Sequence, residues 1–279
     1  MRIGLIAGNG KFPFLVLEAA KSLGHDVTVV AINDEAYPEI ETIASVGRPS
    51  EVHWVSLGQV GRCIEILKDA GIKQALMAGQ VKHNKLFSVA PDLTALSVLR
   101  KAATKNTDAL ISAVADVLQD NGIDLIDSTL FLEPLLAREG HLTSGRPTID
   151  QQKDLQFGYG IADAIAGLDI GQTIVVKDRA VVAVEAMEGT DEVIMRASRL
   201  AGPGVTVIKV AKPEQDMRFD VPVIGLPTIK TLCEARAATL SIDAGRTLIL
   251  DGSQVFDAAD QAGVAIVGRS LGQGKTGSE

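Results

Sequence analysis

Apolar residues in the first half of the chain form short runs, separated by longer stretches with helical spacing. The runs predict strands at Ile3–Ala7, Asp26–Ile32, Val52–Val55, Gln74–Ala78 and Asp124–Asp127. The helical spacing predicts helices at Pro13–Leu23, Leu57–Ala70, Asp92–Ala103 and Asp108–Gln119. Regular alternation of strand and helix is typical of an α/β protein with a Rossmann-like parallel sheet.

The second half alternates less regularly and begins after a polar stretch rich in Gly and Pro at residues 138–147. We expect a Rossmann-like domain at 1–137 and a carboxy-terminal α/β domain with a mixed sheet at 138–279. Predicted helices are Ile149–Ala166, Asp191–Leu200 and Ile229–Ala238, with another helix before the last strand. Predicted strands are Gln172–Val176 and Ala180–Ala186, paired as a hairpin, then Val205–Val210, with further strands near Arg246–Leu250 and Val264–Val267.

Composition narrows the class of protein. The chain has 279 residues, of which 46% are hydrophobic but only 4% aromatic, as expected for aliphatic cores around covered sheets. A formal charge of −8 argues against a nucleic-acid partner, which needs a basic face. No apolar run approaches the roughly 20 residues of a membrane span, so we expect a cytoplasmic protein. Cys63 and Cys233 are expected to be reduced and buried.

Two glycine turns follow predicted strands of the first half. Gly8-Asn9-Gly10 separates the first strand from a helix, where backbone N–H groups can bind a phosphate or sugar. Pro13 stands where a dinucleotide fingerprint has its third Gly, and a purely structural tight turn is the alternative. Gly79-Gln80 ends another strand on the same predicted edge. Lys82 or His83, just beyond it, can reach a ligand there or be merely solvated.

The most charged loop of the chain lies between Lys212 and Pro222. It follows a predicted strand end, where α/β proteins place ligands, and it has a proline near each end. Lys212 and Arg218 suit phosphate oxygens, whereas carboxylates such as Asp220 suit Mg²⁺ or a general base. The alternative is a solvated surface loop.

A second carboxylate-rich segment runs from Glu185 to Asp191. Thr190 is expected to cap the following helix, with Asp191 in its first turn. Glu185 interrupts an apolar strand, and a buried carboxylate needs a partner, a metal or a proton. Glu185 and Glu188 are therefore candidates for a functional site.

Several of these segments, taken in order, resemble the LpxI family of UDP-2,3-diacylglucosamine pyrophosphatases of lipid A biosynthesis. The resemblance runs through most of the chain. It rests on the following segments: Gly4–Gly10 with Pro13, Ala78–Val81, Leu168–Gln172, Ala183–Ala186, Glu188–Asp191, Lys212-Pro213, Gln215, Arg218, Asp220 and Pro222.

The resemblance implies a two-domain α/β protein that holds a UDP-sugar lipid between its domains. The implied reaction splits the pyrophosphate to UMP and 2,3-diacylglucosamine 1-phosphate, with Mg²⁺ as the cofactor. The family's key acid corresponds to Asp220, and metal ligands are expected at Asp220, Glu185 and Asp191. Substrate-binding residues are expected at Gly8, Asn9, Gly10, Lys11, Gly79, Gln80, Thr190, Lys212, Gln215 and Arg218. A homodimer and peripheral contact with the inner membrane are further expectations.

Two other classes of function remain open from the residues. An NAD(P)-dependent oxidoreductase would use the amino-terminal sheet, but Pro13 and the absence of a catalytic Lys, Tyr or His dyad count against it. A non-catalytic nucleotide-sugar or lipid-binding protein is the other alternative. The carboxylates around Asp220 count against it, because they would repel an anionic ligand unless a metal or proton transfer is involved.

Overall fold

The computed structural model describes residues 1–81, 91–101 and 107–270. It forms two compact units. The first comprises Met1–Glu133 together with Asp216–Asp220, and the second comprises Pro134–Gln215 and the chain from Val221 onwards. Two α/β units, one with a parallel and one with a mixed sheet, confirm the predicted fold class. The domain boundary at 137/138 stays a prediction.

The first unit contains a five-stranded sheet in the order β3-β2-β1-β4-β5, in which every neighbouring pair is parallel. Its strands are β1 (Arg2–Ala7), β2 (Asp26–Ile32), β3 (Glu51–Val55), β4 (Gln74–Ala78) and β5 (Asp124–Leu125). Its helices are α1 (Phe12–Ser22), α2 (Ile40–Ser45), α3 (Val60–Asp69), α4 (Leu93–Lys101) and α5 (Thr107–Asp120). The short α2 was not predicted. The chain order reverses between β1 and β4, and ligands commonly bind at such a point.

Burial explains why the first unit forms this sheet. Ile3 and Leu5 of β1 are fully buried, as are Val29 and Val30 of β2, so the central strands are covered on both faces. Helix α1 packs its apolar stripe inward and begins with Pro13 in its first turn, a position that needs no N–H donor.

The second unit contains a six-stranded sheet in the order β6-β13-β11-β9-β7-β8. Strands β9, β11 and β13 are parallel to one another, and β6, β7 and β8 run antiparallel to their neighbours. The sheet's strands are β6 (Gly140–His141), β7 (Thr173–Lys177), β8 (Ala180–Val184), β9 (Thr206–Lys209), β11 (Thr239–Asp243) and β13 (Ala265–Arg269). A separate parallel pair is formed by β10 (Val223–Ile224) and β12 (Leu248–Ile249).

Helices cover both faces of the six-stranded sheet. They are α6 (Ile149–Gly167), α7 (Thr190–Ala201), α8 (Leu226–Glu234) and α9 (Ser253–Ala262), and a 3-10 helix occupies Glu133–Leu135. One buried cluster joins α7, α8 and α9 to Val207, Leu240 and Ile266, and another joins α6 to Ile174 and Ile208. In residues 1–81, 91–101 and 107–270, no helix is both long and apolar enough to cross a bilayer.

Candidate active site

Two glycine turns interlock at the carboxyl edge of the first sheet. Gly8 N–H donates to Ala78 O (2.8 Å), and Asn9 and Gln80 exchange backbone hydrogen bonds of 2.8 and 3.1 Å. A Cβ atom on Gly79 would lie 2.5 Å from the Asn9 carbonyl oxygen, and one on Gly8 would lie 2.7 Å from that of Gln80. The backbones approach too closely for side chains, which gives Gly8 and Gly79 a structural reason for being glycine.

Gly10 and Lys11 continue this turn into α1. Gly10 has φ +96°, and a Cβ atom there would meet open space. Substituting Gly10 with Val would therefore strain the backbone even if no ligand were bound. Lys11 is exposed and stands at the N-cap position of α1. Gly10 and Lys11, two of the residues expected to bind substrate, are thus accessible at this edge of the sheet.

The segment Asp216–Asp220 belongs to the first unit. Ser128 fixes it there: its N–H donates to Met217 O (3.0 Å), and its hydroxyl lies 2.5 Å from Met77 O and 2.6 Å from Arg218 O. Met77 belongs to β4, directly before the residue that binds Gly8. Ser128 therefore holds the charged segment at the carboxyl end of β4.

Arg218 is chelated by a carboxylate two residues earlier. Its Nε lies 2.9 and 3.1 Å from the two oxygens of Asp216, and its Nη2 lies 2.6 Å from Oδ2. The hydrogen bond with Arg218 lowers the pKa of Asp216, and the same bond raises the pKa of Arg218. The carboxylate that binds the Arg218 guanidinium is therefore that of Asp216.

Asp220 ends the same segment and is half-buried. Its N–H donates to Asp216 O (2.9 Å), which closes a turn around Arg218. Phe219, between them, packs on the apolar cluster of the first unit. The backbone on both sides of Phe219 is therefore anchored, and the backbone of Asp220 is held in a defined position.

In the second unit, Lys212 and Gln215 form a small network. Lys212 Nζ lies 2.7 Å from Asp169 Oδ1, and Lys212 N–H donates to Gln215 Oε1 (2.7 Å). Arg246 donates to the carbonyl of Lys212 (3.2 Å). Asp169 already offsets much of the Lys212 charge that the sequence assigned to a diphosphate.

Glu185, Thr190 and Lys209 also meet in the second unit. Thr190 Oγ1 donates to Glu185 Oε1 (2.9 Å) and accepts from Lys209 Nζ (2.9 Å), and Gln172 N–H donates to Glu185 Oε2 (3.3 Å). The N-cap of α7 is Gly189, with φ +85° and no side-chain cap, and Thr190 is the first helical residue. The prediction that Thr190 is the cap was wrong, because its hydroxyl is used by Glu185 and Lys209 instead.

Glu188 and Asp191 lie apart from that hydrogen-bond chain. Glu188 pairs with Arg196 (2.5 Å). Bonding to its own backbone N–H and to Arg196 lowers the pKa of Glu188. Asp191 is exposed in the first turn of α7. Across the described ranges, no three His, Cys, Asp or Glu side chains converge as metal ligands.

A buried ionic network lies at the ends of β11 and β13. Arg269 Nε lies 2.7 Å from Asp243 Oδ1, and its Nη2 lies 2.8 Å from Asp163 Oδ1. Burial acts to lower the pKa of Arg269, but its bonds to Asp163 and Asp243 raise it overall. Asp243 also accepts the N–H of Ala211 (2.8 Å). The network thus anchors the residue before Lys212, and sequence reasoning missed it.

Cavities of about 440 and 250 Å³ lie elsewhere in the two units. The larger is lined by Arg2, Asp26 and Glu51 at the starts of β1, β2 and β3, and the smaller by Ser144, Arg146 and Asp260. Neither is lined by a predicted site residue. We therefore choose the candidate site residues at the carboxyl ends of the strands within each unit, because the cations and carboxylates there suit a phosphate ligand. Lys82 and His83 lie outside the described residues.

The fold and these strand ends define a two-unit α/β protein with cations and carboxylates suited to an anionic ligand. The model of the LpxI N-terminal domain matches residues 2–135, and that of the LpxI C-terminal domain matches residues 138–267. A relative from Caulobacter vibrioides, UDP-2,3-diacylglucosamine pyrophosphatase LpxI, is 30% identical over 279 residues, covering 96% of this chain and 97% of the relative. The chain belongs to the LpxI family.

Solved structures give a weaker likeness. WbmG from Bordetella bronchiseptica, in complex with NAD and UDP, is 14% identical with a TM-score of 0.30, covering 43% of this chain and 34% of that one. UDP-glucose 4-epimerase from Bifidobacterium longum, with NAD⁺ and UDP, is 13% identical with a TM-score of 0.32, covering 44% and 35%. The chain spans about a third of each of these structures, and likeness at this level carries no functional argument.

Proposed function

We propose that this protein hydrolyses the diphosphate of UDP-2,3-diacylglucosamine to UMP and 2,3-diacylglucosamine 1-phosphate. Both halves of the chain match the LpxI family, and the relative from Caulobacter vibrioides carries that activity in its name. The observation that carries the proposal is the anchoring of Asp216–Asp220 at the carboxyl end of β4 by Ser128. That anchoring puts the candidate acid at a strand edge where α/β proteins bind ligands.

The chemistry needs an oriented water and neutralised phosphate oxygens. Asp220 is the proposed catalytic group, either orienting the water or holding a metal. Asp216 fixes the guanidinium of Arg218 through Nε and Nη2, while Nη1 donates to no described residue. Arg218 is thereby oriented to offer Nη1 to a phosphate oxygen. Gly8, Asn9, Gly10, Lys11, Gly79 and Gln80 are proposed to bind the nucleotide or sugar.

Magnesium dependence is part of the proposal. Mg²⁺ usually keeps several waters and binds through one or two carboxylates together with substrate phosphates. Asp220 with the diphosphate fits that donor set without a preformed cage. When bound, the ion would stabilise charge on phosphate oxygens. Loss of activity in EDTA and its recovery on adding Mg²⁺ would support this part, and full activity in EDTA would contradict it.

Two expectations from the sequence accompany this function. A homodimer would be measured directly as twice the 29.3 kDa chain mass by light scattering. A cytoplasmic protein with peripheral membrane contact would partly sediment with vesicles that contain the substrate. A monomer mass would contradict the expected homodimer, and absence from the vesicle pellet would contradict the expected membrane contact. Neither result would bear on the proposed reaction.

The decisive experiment measures UMP release from UDP-2,3-diacylglucosamine, comparing wild type with Asp220→Asn. The variant keeps the shape of the side chain but removes its charge. We expect kcat to fall about 10²-fold or more, the usual scale for losing a general acid–base group, while substrate binding persists.

Glu214→Gln is the matched control, because Glu214 is an exposed carboxylate in the same loop. It should keep wild-type kcat. If Asp220→Asn retained more than about a tenth of wild-type kcat with saturating Mg²⁺, Asp220 would not be the catalytic centre. Absence of UMP release by wild type, with nicotinamide cofactor binding instead, would overturn the proposed reaction.

A further inference from the structure

Three side chains of the second unit form a polarised hydrogen-bond chain from Glu185 through Thr190 to Lys209. Glu185 directly follows β8, Thr190 begins α7 and Lys209 ends β9. The two links are 2.9 Å each, from Thr190 Oγ1 to Glu185 Oε1 and from Lys209 Nζ to Thr190 Oγ1. Three separate elements thus bring their ends to one point at the carboxyl end of β9.

The direction of this chain is fixed by chemistry. A lysine ammonium only donates hydrogen bonds, and an ionised carboxylate only accepts them. The Thr190 hydroxyl must therefore accept from Lys209 and donate to Glu185. Each partner restricts the rotation of that hydroxyl, so the ammonium is held in one place although its side chain is long and flexible.

Lys209 differs from the other cations of these strand ends in its partner. Lys212 pairs with Asp169, and Arg269 is chelated by Asp163 and Asp243. Lys209 Nζ contacts a neutral hydroxyl, and it forms no ion pair with any carboxylate in the described ranges. Its positive charge is thus not directly neutralised, which is the condition for attracting an anion.

Glu185 shows the features of an orienting group. It is only 8% exposed, so its carboxylate needs partners, and it has them in Thr190 and in the N–H of Gln172. Gly171 packs so closely on Glu185 that a Cβ there would collide with its carbonyl oxygen. With both oxygens bonded to the protein, Glu185 is held in place to accept from the Thr190 hydroxyl.

We propose that Lys209 binds a phosphoryl oxygen of the substrate and that Thr190 and Glu185 position its ammonium group for this contact. The inference rests on the proposed function for the identity of the anion, the diphosphate of a nucleotide-linked lipid. Asp191 and Glu192 are exposed in the first turn of α7 and offset the positive end of its dipole. Lys209 therefore supplies the attraction, and the end of the helix does not.

The primary test compares Lys209→Met with Lys177→Met, each made in the Asp220→Asn background so that the ligand is not consumed. Lys177 is also a half-buried lysine at a strand end, and its Nζ donates to two backbone carbonyls. It lies at the opposite edge of the sheet, since Thr173 of β7 pairs with Lys209 and Lys177 ends the same strand. In calorimetry with UDP-2,3-diacylglucosamine, we expect Lys209→Met to weaken the affinity by about tenfold or more. Lys177→Met should leave the affinity unchanged.

Salt dependence and a conservative variant separate binding from a structural role. Loss of a phosphate-binding cation should make affinity less sensitive to ionic strength, a change that a structural lysine would not cause. Lys209→Arg keeps the charge and should recover part of the affinity. An unchanged salt dependence in Lys209→Met would overturn the proposal.

Variants of the other two residues test the positioning role. Thr190→Ser keeps the hydroxyl and should keep the wild-type KM, whereas Thr190→Val should raise KM toward that of Lys209→Met. Glu185→Gln should raise KM but leave the Mg²⁺ concentration for half-maximal activity unchanged. A large increase in that Mg²⁺ requirement would instead make Glu185 a metal ligand and overturn its orienting role.

The outcomes distinguish this inference from the reaction itself. If wild type releases UMP but Lys209→Met binds substrate as well as Lys177→Met does, the inference fails and the proposed function stands. If wild type binds UDP-2,3-diacylglucosamine through Lys209 but releases no UMP, the inference stands and the reaction fails. If wild type does not bind this ligand, both are overturned.

Discussion

At the scale of single residues, Ser128 has more influence on the candidate site than its small side chain suggests. It is 1% exposed, and its one hydroxyl serves the carbonyl oxygens of Met77 and Arg218. No charged group marked it in the sequence. The signal was its position just after a short strand, because a polar residue at a strand end is often there to hold a loop.

Replacing Ser128 with Ala should remove the only side-chain donor that links β4 to Arg218 in the described chain. Two partly buried carbonyl oxygens would lose a partner, so we expect the free energy of unfolding to fall by about 1–3 kcal/mol. We also expect kcat to fall more than KM rises, since Asp220 would be less well fixed. Urea denaturation and steady-state kinetics measure the two effects.

Ser22→Ala is the control for this experiment. Ser22 is exposed, and its hydroxyl donates only to Ala19 O within the same helix. This variant should change stability by less than about 0.5 kcal/mol. Equal kinetics for Ser128→Ala and Ser22→Ala would show that Ser128 does not position the site.

At the scale of elements, the interlocked turns at Gly8 and Gly79 predict an unusual sensitivity to one methyl group. In Gly79→Ala the new Cβ would meet the Asn9 carbonyl, and the residue would also carry φ +90°. The left-handed conformation alone costs about 1–2 kcal/mol, and the collision adds to it. We expect a loss of more than about 2 kcal/mol in unfolding free energy, with a raised KM because Gly8–Lys11 must move.

Gly24→Ala separates the two contributions. Gly24 has a similar φ of +80°, but a Cβ there would have nothing within 4 Å. The loss of unfolding free energy in Gly24→Ala should therefore not exceed the cost of the left-handed backbone conformation, about 1–2 kcal/mol. If thermal denaturation gave the same loss for both variants, the close approach of the two turns would have no energetic role.

The elements also show how far sequence patterns reach. The strands of the first unit were predicted to within two residues at each end, because buried parallel strands have continuous apolar runs. Strand β11 (Thr239–Asp243) was missed. All five of its residues are buried, yet three are polar: Thr239 bonds to Gln151, Ser241 to Tyr159 and Asp243 to Arg269. Those partners come from distant parts of the chain, and no local pattern reveals them.

The candidate site was predictable to a similar degree. The sequence pointed to Lys212, Arg218 and Asp220 because charges followed a strand end, and to Glu185 because it interrupted an apolar run. It did not reveal Lys209, which ends β9 with the appearance of an ordinary solvated lysine. Its pairing with Thr190 depends on the meeting of β9 and α7, so only the tertiary structure could distinguish it from other lysines.

At the scale of the whole molecule, the two cysteines report on folding of the two units. Cys63 is buried in the first unit, and burial raises its pKa to about 12, so it should be unreactive near neutral pH. Cys233 is exposed on α8, which corrects the expectation that both are buried. Ellman's reagent should therefore label one thiol per native chain rapidly and the second only after denaturation.

Single substitutions assign these two phases. Cys233→Ser should abolish the rapid phase, and Cys63→Ser should abolish the slow one. Rapid labelling of Cys63 in the native Cys233→Ser protein would show that the core around α3 is open to solvent, contrary to its packing with Ile64 and Leu67.

The composition of the first unit has a consequence for how the protein is made. Residues Asp216–Asp220 belong with Met1–Glu133, so this unit lacks one of its parts until most of the second half has been synthesised. In a chain still growing on the ribosome, the apolar surface that Phe219 later covers would be exposed. The Ser128 hydroxyl would also lack its hydrogen bond to the carbonyl oxygen of Arg218. A prematurely terminated chain would therefore carry the glycine turns but not the candidate catalytic acid. Translation itself would delay assembly of the candidate site until residue 220 has been synthesised.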